Sequence, residues 1–271
     1  TEADLRATVE KLREQMVLDD YPHPLDQDVA ALKSELKGLF DEFIWAPGRI
    51  VWDDPASLKR EGSTSEMMEA LVRRLDRVDE ELLIESAYFV MRGPGVEKLA
   101  GLVDKGVRVR VLTNSLASND VLAAHAGYAE RRDDLLAGGV EIHELRPYPG
   151  PVSKNLVAGT SKAALHTKAI VFDRKDVFIG SLNLDPRSLD LNTEAGLYVE
   201  SPVLARQVIA YMEEGVTPER SYRVGLDDDG ALYWVTEFDG GEIRYDKDPE
   251  STAMQRFTSR FIEILPVEGQ L

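Results

Sequence analysis

LHTKAIVFDRKDVFIGSLNLDPRSLDLNTEAGLYVE, residues 165–200, decides how the rest of the chain is read. Leu165 to Phe172 has the apolar, β-branched character of a buried strand, apart from His166, Thr167 and Lys168. Two apart on a strand, His166 and Lys168 share a face, with Cα atoms roughly 6.7 Å apart. Asp173 to Asp176 forms a turn into a second apolar run, Val177 to Ile179, which ends at Gly180-Ser181-Leu182-Asn183. Ser181 and Asn183 again share parity. Paired as a hairpin, these strands bring an imidazole, an ammonium, a hydroxyl and a carboxamide to one place. Glu194, opening the next apolar segment, is in position to offer a carboxylate to the imidazole. The set suits a phosphodiester: donors for non-bridging oxygens, and a histidine to attack phosphorus or move a proton.

The spacing H-x-K-x4-D-x6-G-S-x-N resembles the signature of the phospholipase D superfamily without gap or substitution, and Asn192 to Gly196 also fits that superfamily. The alternative is a core histidine in a hairpin with a surface lysine, but fixed spacing over so many positions disfavours it. Asp173 takes the turn and has odd parity relative to His166, so it reads as structural, as does Gly180.

Bulk composition narrows the chemistry. A 271-residue chain with 43% hydrophobic content has enough apolar material for a sizeable core. It contains no cysteine, which excludes disulfides, thiolate catalysis and Cys-based zinc sites. The four histidines, 23, 125, 143 and 166, are scattered and form no H-E-x-x-H helix, so no metal is expected. A net charge of −17 argues against a general grip on nucleic acid or anionic lipid, though a local basic pocket is compatible with it. The chain shows neither a membrane-spanning apolar run nor a leader pattern. Its first residue is Thr1, which suggests a piece of something longer.

In chain order, residues 3–17 have helical spacing, Tyr21-Pro22-His23-Pro24 is a break, and a second helix starts at Asp26. Together 1–45 read as a helical connector and 46–271 as the functional domain. A strand broken by Pro47-Gly48 ends at Trp52, and Asp53 to Gly62 reads as a surface loop. Ser63 or Thr64 is the expected cap of a helix carrying Met67, Leu71 and Leu75. Strands at 81–89, 107–112 and 140–145 alternate with helices to Lys105 and from Asn119 to Ala137. This predicts βαβ crossovers in an α/β fold with a mainly parallel mixed sheet and helices on both faces. Loops at the strand ends, with Tyr88 and Asn114, then line the working face. Pro147 to Ser161 reads as a rim or lid. A helix from Pro202 to about Glu214, a small antiparallel meander over 222–245 and a helix from Thr252 follow.

The resemblance extends to Ser86 to Val90, Val109 to Ser118, His125 to Tyr128 and Leu265-Pro266, which look like bacterial cardiolipin synthases of the C-type branch. Members of this family bring two histidine–lysine motifs together, in one chain or across a homodimer; this chain has one. It therefore looks like a C-terminal half needing a second motif-bearing half as partner, with phospholipid at the membrane surface as substrate and no nucleic acid. The resemblance implies phosphatidyl transfer through a phosphohistidine, with no cofactor or metal, on the inner face of a bacterial membrane. His166 would take the proton-transfer role, Lys168 and Asn183 would hold phosphate oxygens, and Ser181 or Glu194 would fix the imidazole tautomer. Tyr88 and Asn114 are candidate substrate contacts. His125 and Tyr128 either line a lipid entrance or pack, and Arg187 pairs with phosphate or with Asp190. Two other classes remain: a phosphodiesterase or nuclease with the same signature, and a non-catalytic binding module. The acidic balance weighs against the first and the intact His-Lys-Asn set against the second.

Overall fold

The computed structural model describes residues 43–55, 65–148, 163–238 and 240–263. Contacts divide the chain into Thr1–Trp45 and Ala46–Leu271, and the elements below belong to the second unit. The expected helix at 3–17, the His23 linker, most of the helix from Asp26, the greater part of the 147–161 rim and Leu265-Pro266 lie outside the described residues. The order is β1 (Gly48–Trp52), α1 (Glu66–Leu75), β2 (Glu81–Ser86), α2 (Gly93–Asp104), β3 (Arg108–Asn114), α3 (Leu122–Ala137), β4 (Glu141–Leu145), β5 (Lys168–Phe172), β6 (Asp176–Gly180), α4 (Pro186–Asp190), β7 (Ala195–Glu200), α5 (Pro202–Gly215), β8 (Ser221–Leu226), β9 (Leu232–Phe238), β10 (Gly241–Tyr245) and α6 (Ala253–Glu263).

The strands form one mixed sheet in the order β1-β7-β6-β5-β2-β3-β4-β8-β9-β10. Helices cover both faces, as the alternation of elements predicts, but the parallel part is smaller than expected. Only β2–β3 and β3–β4 are parallel, and every other pair is antiparallel. The reason is local. A three-residue turn joins β5 to β6, too short for a crossover, and β5 itself lies antiparallel to β2. The C-terminal meander is no separate lobe, because β8 pairs with β4 and extends the same sheet.

Alternating side chains sort the core. Leu82, Ile84, Ile170, Phe172, Phe178 and Tyr198 pack with Met67 and Leu71 of α1, Leu99 of α2, and Leu135 of α3. Leu83, Ala169, Val171 and Val177 face the other way, onto Ala205, Ile209 and Met212 of α5. Ser65, rather than Ser63 or Thr64, caps α1, its hydroxyl accepting from the Met68 N–H at 3.0 Å. Asp53 is not in a surface loop: it is 3% exposed and accepts from Ser65 Oγ at 2.8 Å and the Met67 N–H at 3.1 Å. Strand directions place the C-terminal ends of β2, β3 and β6 and the N-terminal ends of β5 and β7 on one edge of the sheet. That edge carries the chemistry.

Candidate functional site

β6 and β7 approach through a glycine pair, Gly180 opposite Gly196. A Cβ on Gly180 would sit 2.5 Å from the Ala195 carbonyl, and one on Gly196 2.1 Å from the Phe178 ring. The close approach lets Ser181 reach across. Its N–H donates to Ala195 O at 2.9 Å, its Oγ accepts from the Ala195 N–H at 3.1 Å, and its hydroxyl donates to Glu194 Oε2. Asn192 Nδ2 donates to the other Glu194 oxygen at 3.2 Å. Asp53, from the far side of the sheet edge, accepts the Glu194 N–H at 3.1 Å. Glu194 is thus buried and held at both ends.

His166 is exposed, just before β5. Lys168 opens β5 opposite Ser86 and donates from Nζ to the His166 carbonyl at 2.8 Å. Partial burial lowers the Lys168 pKa, while the charges of Glu194, Asp185 and Asp120 oppose that shift. Those three carboxylates therefore lie within the field of one ammonium. Asp185 is buried, which raises its carboxyl, although the Ser188 N–H at 2.8 Å stabilises the charge. Tyr88 donates to Asp120 at 2.8 Å, and burial together with that acid pushes its hydroxyl to about 12. Asn183 is half-buried, with Oδ1 sequestered from solvent and unpartnered among the described residues.

Expected as a substrate contact, Asn114 has no donor left for one. Its Nδ2 donates to Ala87 O and Leu165 O at 3.0 Å each, and its Oδ1 accepts from the Leu165 N–H at 2.8 Å. It pins the residue before His166 to the ends of β2 and β3. Ser86 acts similarly, donating to Tyr88 O at 2.7 Å and accepting the Leu184 N–H at 3.3 Å, so the 181–185 loop folds over β2. Asp173, with φ of 49° at the turn, accepts from the N–H groups of Glu80 at 2.8 Å and Glu81 at 3.1 Å and locks the start of β2. Arg187 is exposed with no ion-pair partner among the described residues; Asp190 pairs with Arg92 at 2.6 Å instead.

His125 and Tyr128 share a face of α3, but it looks inward, away from this edge. His125 is 1% exposed, with Nε2 3.6 Å from Asp248 Oδ1 and Nδ1 unpartnered among the described residues. Glu144 of β4, fully buried, accepts from Tyr128 Oη at 2.9 Å, Arg132 Nη1 at 2.9 Å and Trp234 Nε1 at 2.8 Å. Burial would raise Asp248, but the His125 hydrogen bond and the Arg132 charge hold it down at about 2. The two residues belong to this buried network, and His125 also lines, with Arg132, Trp234 and Asp248, a cavity of about 350 Å³.

Sequence reasoning missed Asp120, Asp185, Asp53 and Glu85. Glu85 lies on the α5 side of β2, 2% exposed, beside a cavity of about 170 Å³ that Leu165, His166, Thr167 and Tyr211 also line. Burial raises its carboxyl to about 7, against a hydrogen bond from Thr167, and Oε2 has no partner among the described residues. A raised folded-state pKa favours folding while the acid is protonated in both states. That contribution is lost as pH climbs from the unfolded value through about 7, a fall of about 3 kcal/mol. Glu85→Gln is therefore expected to match the parent chain near pH 4 and to gain up to about 3 kcal/mol at pH 8. Urea unfolding at both pH values measures this; an equal difference at the two would show that Glu85 ionises freely.

The sequence profile of the family described as "Cardiolipin synthase, PLD-like domain" matches residues 71–215. Cardiolipin synthase C of Escherichia coli K12 is 40% identical over 234 residues, covering 84% of this chain and 49% of that protein. A Helicobacter pylori J99 protein described as uncharacterized is 23% identical over 248 residues, covering 91% and 44% respectively. Among solved structures, Nuc of Salmonella typhimurium aligns with a TM-score of 0.47 at 15% identity, over 66% of this chain and 99% of that one. The phosphatidylserine synthase of Haemophilus influenzae Rd KW20 aligns at 0.48 and 17%, over 75% and 48%. A mixed sheet with a histidine–lysine hairpin at its edge defines a phospholipase D-like protein. The chain belongs to the cardiolipin synthase, phospholipase D-like domain family. It spans about half the length of the curated relatives it matches.

Proposed function

We propose that this chain supplies one half of a phosphatidyl-transfer site that makes cardiolipin from phospholipids, working peripherally on the inner face of a bacterial membrane. In this reading a histidine on the second half attacks phosphorus, forming a P–N bond as the P–O bond to the leaving alcohol breaks. His166 gives that alcohol its proton, then takes one from the acceptor alcohol, whose oxygen displaces the histidine and re-forms a P–O bond. Lys168 Nζ and Asn183 Nδ2 donate to non-bridging oxygens, and the Ser181–Glu194 pair orients the imidazole edge. Tyr88, tied to Asp120, and the unpaired Arg187 are left as candidate substrate contacts. Asn114, His125 and Tyr128 serve as framework. Among the described residues no helix is long and apolar enough to cross a membrane, which suits a peripheral site.

The observation that carries this reading is the intact motif at one sheet edge, with Lys168 in the field of Asp120, Asp185 and Glu194. A single ammonium facing three carboxylates is poor at holding a phosphodiester anion alone, so a second histidine–lysine pair has a defined electrostatic job. Lys168→Ala in a polypeptide carrying both motifs tests the reading, because a hydrogen bond from a charged donor is worth about 1.5–3 kcal/mol. Cardiolipin formation from phosphatidylglycerol vesicles, with and without phosphatidylethanolamine, is expected to fall by at least about tenfold. Unchanged lipid transfer would remove Lys168 from the site, and cleavage of single-stranded DNA without lipid turnover would favour the nuclease class.

A further inference from the structure

A concentration of positive charge sits at the other end of β7. A cleft of about 400 Å³ between α1 and the β1–β7 edge is lined by Arg49, Arg73, Arg74, Arg77, Tyr198 and Glu200. Four guanidiniums in one cleft are unexpected for a chain of net charge −17. Arg73 and Arg74 lie in the last turn of α1 and Arg77 just beyond it, so like charges gather at one end of that helix.

Only part of this charge is neutralised. Arg74 is engaged by Asp176 and, at 3.0 Å, by Glu200. Arg73 makes an exposed pair with Glu69 at 3.1 Å, of the kind that contributes little. Arg49 and Arg77 have no acidic partner among the described residues, and both are exposed. The floor of the cleft has an unmet need of its own. Tyr198 is 4% exposed, its ring packed 4.9 Å from that of Phe178, and its hydroxyl is buried without a hydrogen-bond partner among the described residues. Burial pushes that hydroxyl up to about 12, while Arg74, Arg73 and Arg49 pull it down, so the three guanidiniums converge on its surroundings. The hydroxyl stays protonated and is a donor in search of an acceptor.

We propose that this cleft is a second anion site, taking a phosphate group from a soluble phosphate ester or a phospholipid headgroup on Arg49, Arg77 and the Tyr198 hydroxyl. Tyr198 lies four residues along β7 from Glu194, about 13 Å away at strand rise, so one phosphate cannot serve both places. The site does not depend on the catalytic reading. It gives an acidic chain a local grip on an anion, away from the histidine–lysine edge.

Calorimetry of the full chain with inorganic phosphate and with glycerol 3-phosphate, beside sedimentation with phosphatidylcholine vesicles with and without phosphatidylglycerol, tests it. Arg49→Gln/Arg77→Gln is expected to weaken binding at least about tenfold, and Tyr198→Phe about three- to tenfold, while Lys168→Ala leaves this binding unchanged. The two arginines are exposed, so an unchanged urea midpoint should accompany the loss. Arginine-dependent binding of the soluble anions identifies a phosphate ester as sufficient. Arginine-dependent binding of phosphatidylglycerol vesicles alone identifies the headgroup. The proposal is overturned if the wild-type chain binds none of these probes, or if the double arginine variant binds them as the wild type does.

Discussion

His166→Ala, in a polypeptide that carries both motifs, should cut cardiolipin formation from phosphatidylglycerol by about 100- to 10,000-fold, the usual cost of losing a positioned acid–base group. The loss should depend on the leaving group. A glycerol alkoxide needs a proton as it departs, whereas a nitrophenolate does not, so a nitrophenyl phosphodiester should recover much of the first-step rate. The second step has no such escape, because the acceptor alcohol still needs its proton removed. A covalent phosphoenzyme should therefore accumulate on the other motif's histidine, where denaturation at alkaline pH, which spares the P–N bond, traps it for peptide mapping. His166 is exposed and opens onto the sheet edge, so its removal should leave the fold intact. A nitrophenyl substrate that gains nothing over a lipid would show that His166 is not the general acid.

Glu144→Ala should be the most damaging substitution for stability. Glu144 is fully buried and accepts three hydrogen bonds, from Tyr128, Arg132 and Trp234. Arg132 sits 4.7 Å from the Trp234 ring and would lose its better-placed counter-charge, keeping only Asp248 at 3.3 Å. Breaking a buried pair by removing one partner typically costs about 3–5 kcal/mol. Urea unfolding of the variant should show a loss of that order. Replacing both partners, as Glu144→Leu with Arg132→Met, should recover only part of it, because no guanidinium is stranded but Asp248 loses one of its cationic partners and Tyr128 and Trp234 still lose their acceptor. A loss below about 1 kcal/mol would mean that water reaches the network and replaces the carboxylate.

The same network shows where sequence reading stops. Spacing placed His125 and Tyr128 on one face of a helix, and they are on one face. What that face meets is decided by Trp234 on β9 and by Asp248, more than a hundred positions away, and no local pattern carries that information. The motif edge was legible because period-two parity and a Gly-Ser-x-Asn strand end are local properties. Asp53 was not: in Asp-Asp-Pro it has turn composition, and its burial arises because β1 pairs with β7, which brings it to Glu194 across 141 positions. Asp185 caps α4, and its field on Lys168 follows from the 181–185 loop closing over Ser86, a tertiary arrangement that no local pattern announces. Glu85 left one visible trace, an acid among apolar residues inside a strand. The sheet's direction was misjudged for a related reason. The βαβ alternation of 81–145 is real, but the hairpin that carries the motif enters beside β2 in the opposite sense.

The most direct measurement compares lipid transfer by residues 1–271 alone with transfer by the same chain joined to a first half bearing its own histidine–lysine motif. Phosphatidylglycerol vesicles are the substrate and cardiolipin the product, followed by mass spectrometry. The half-site account predicts little or no cardiolipin from the chain alone and robust formation from the joined polypeptide, with the trapped adduct's histidine outside residues 1–271. Robust cardiolipin formation by the isolated monomer, or an adduct that maps to His166, would contradict it.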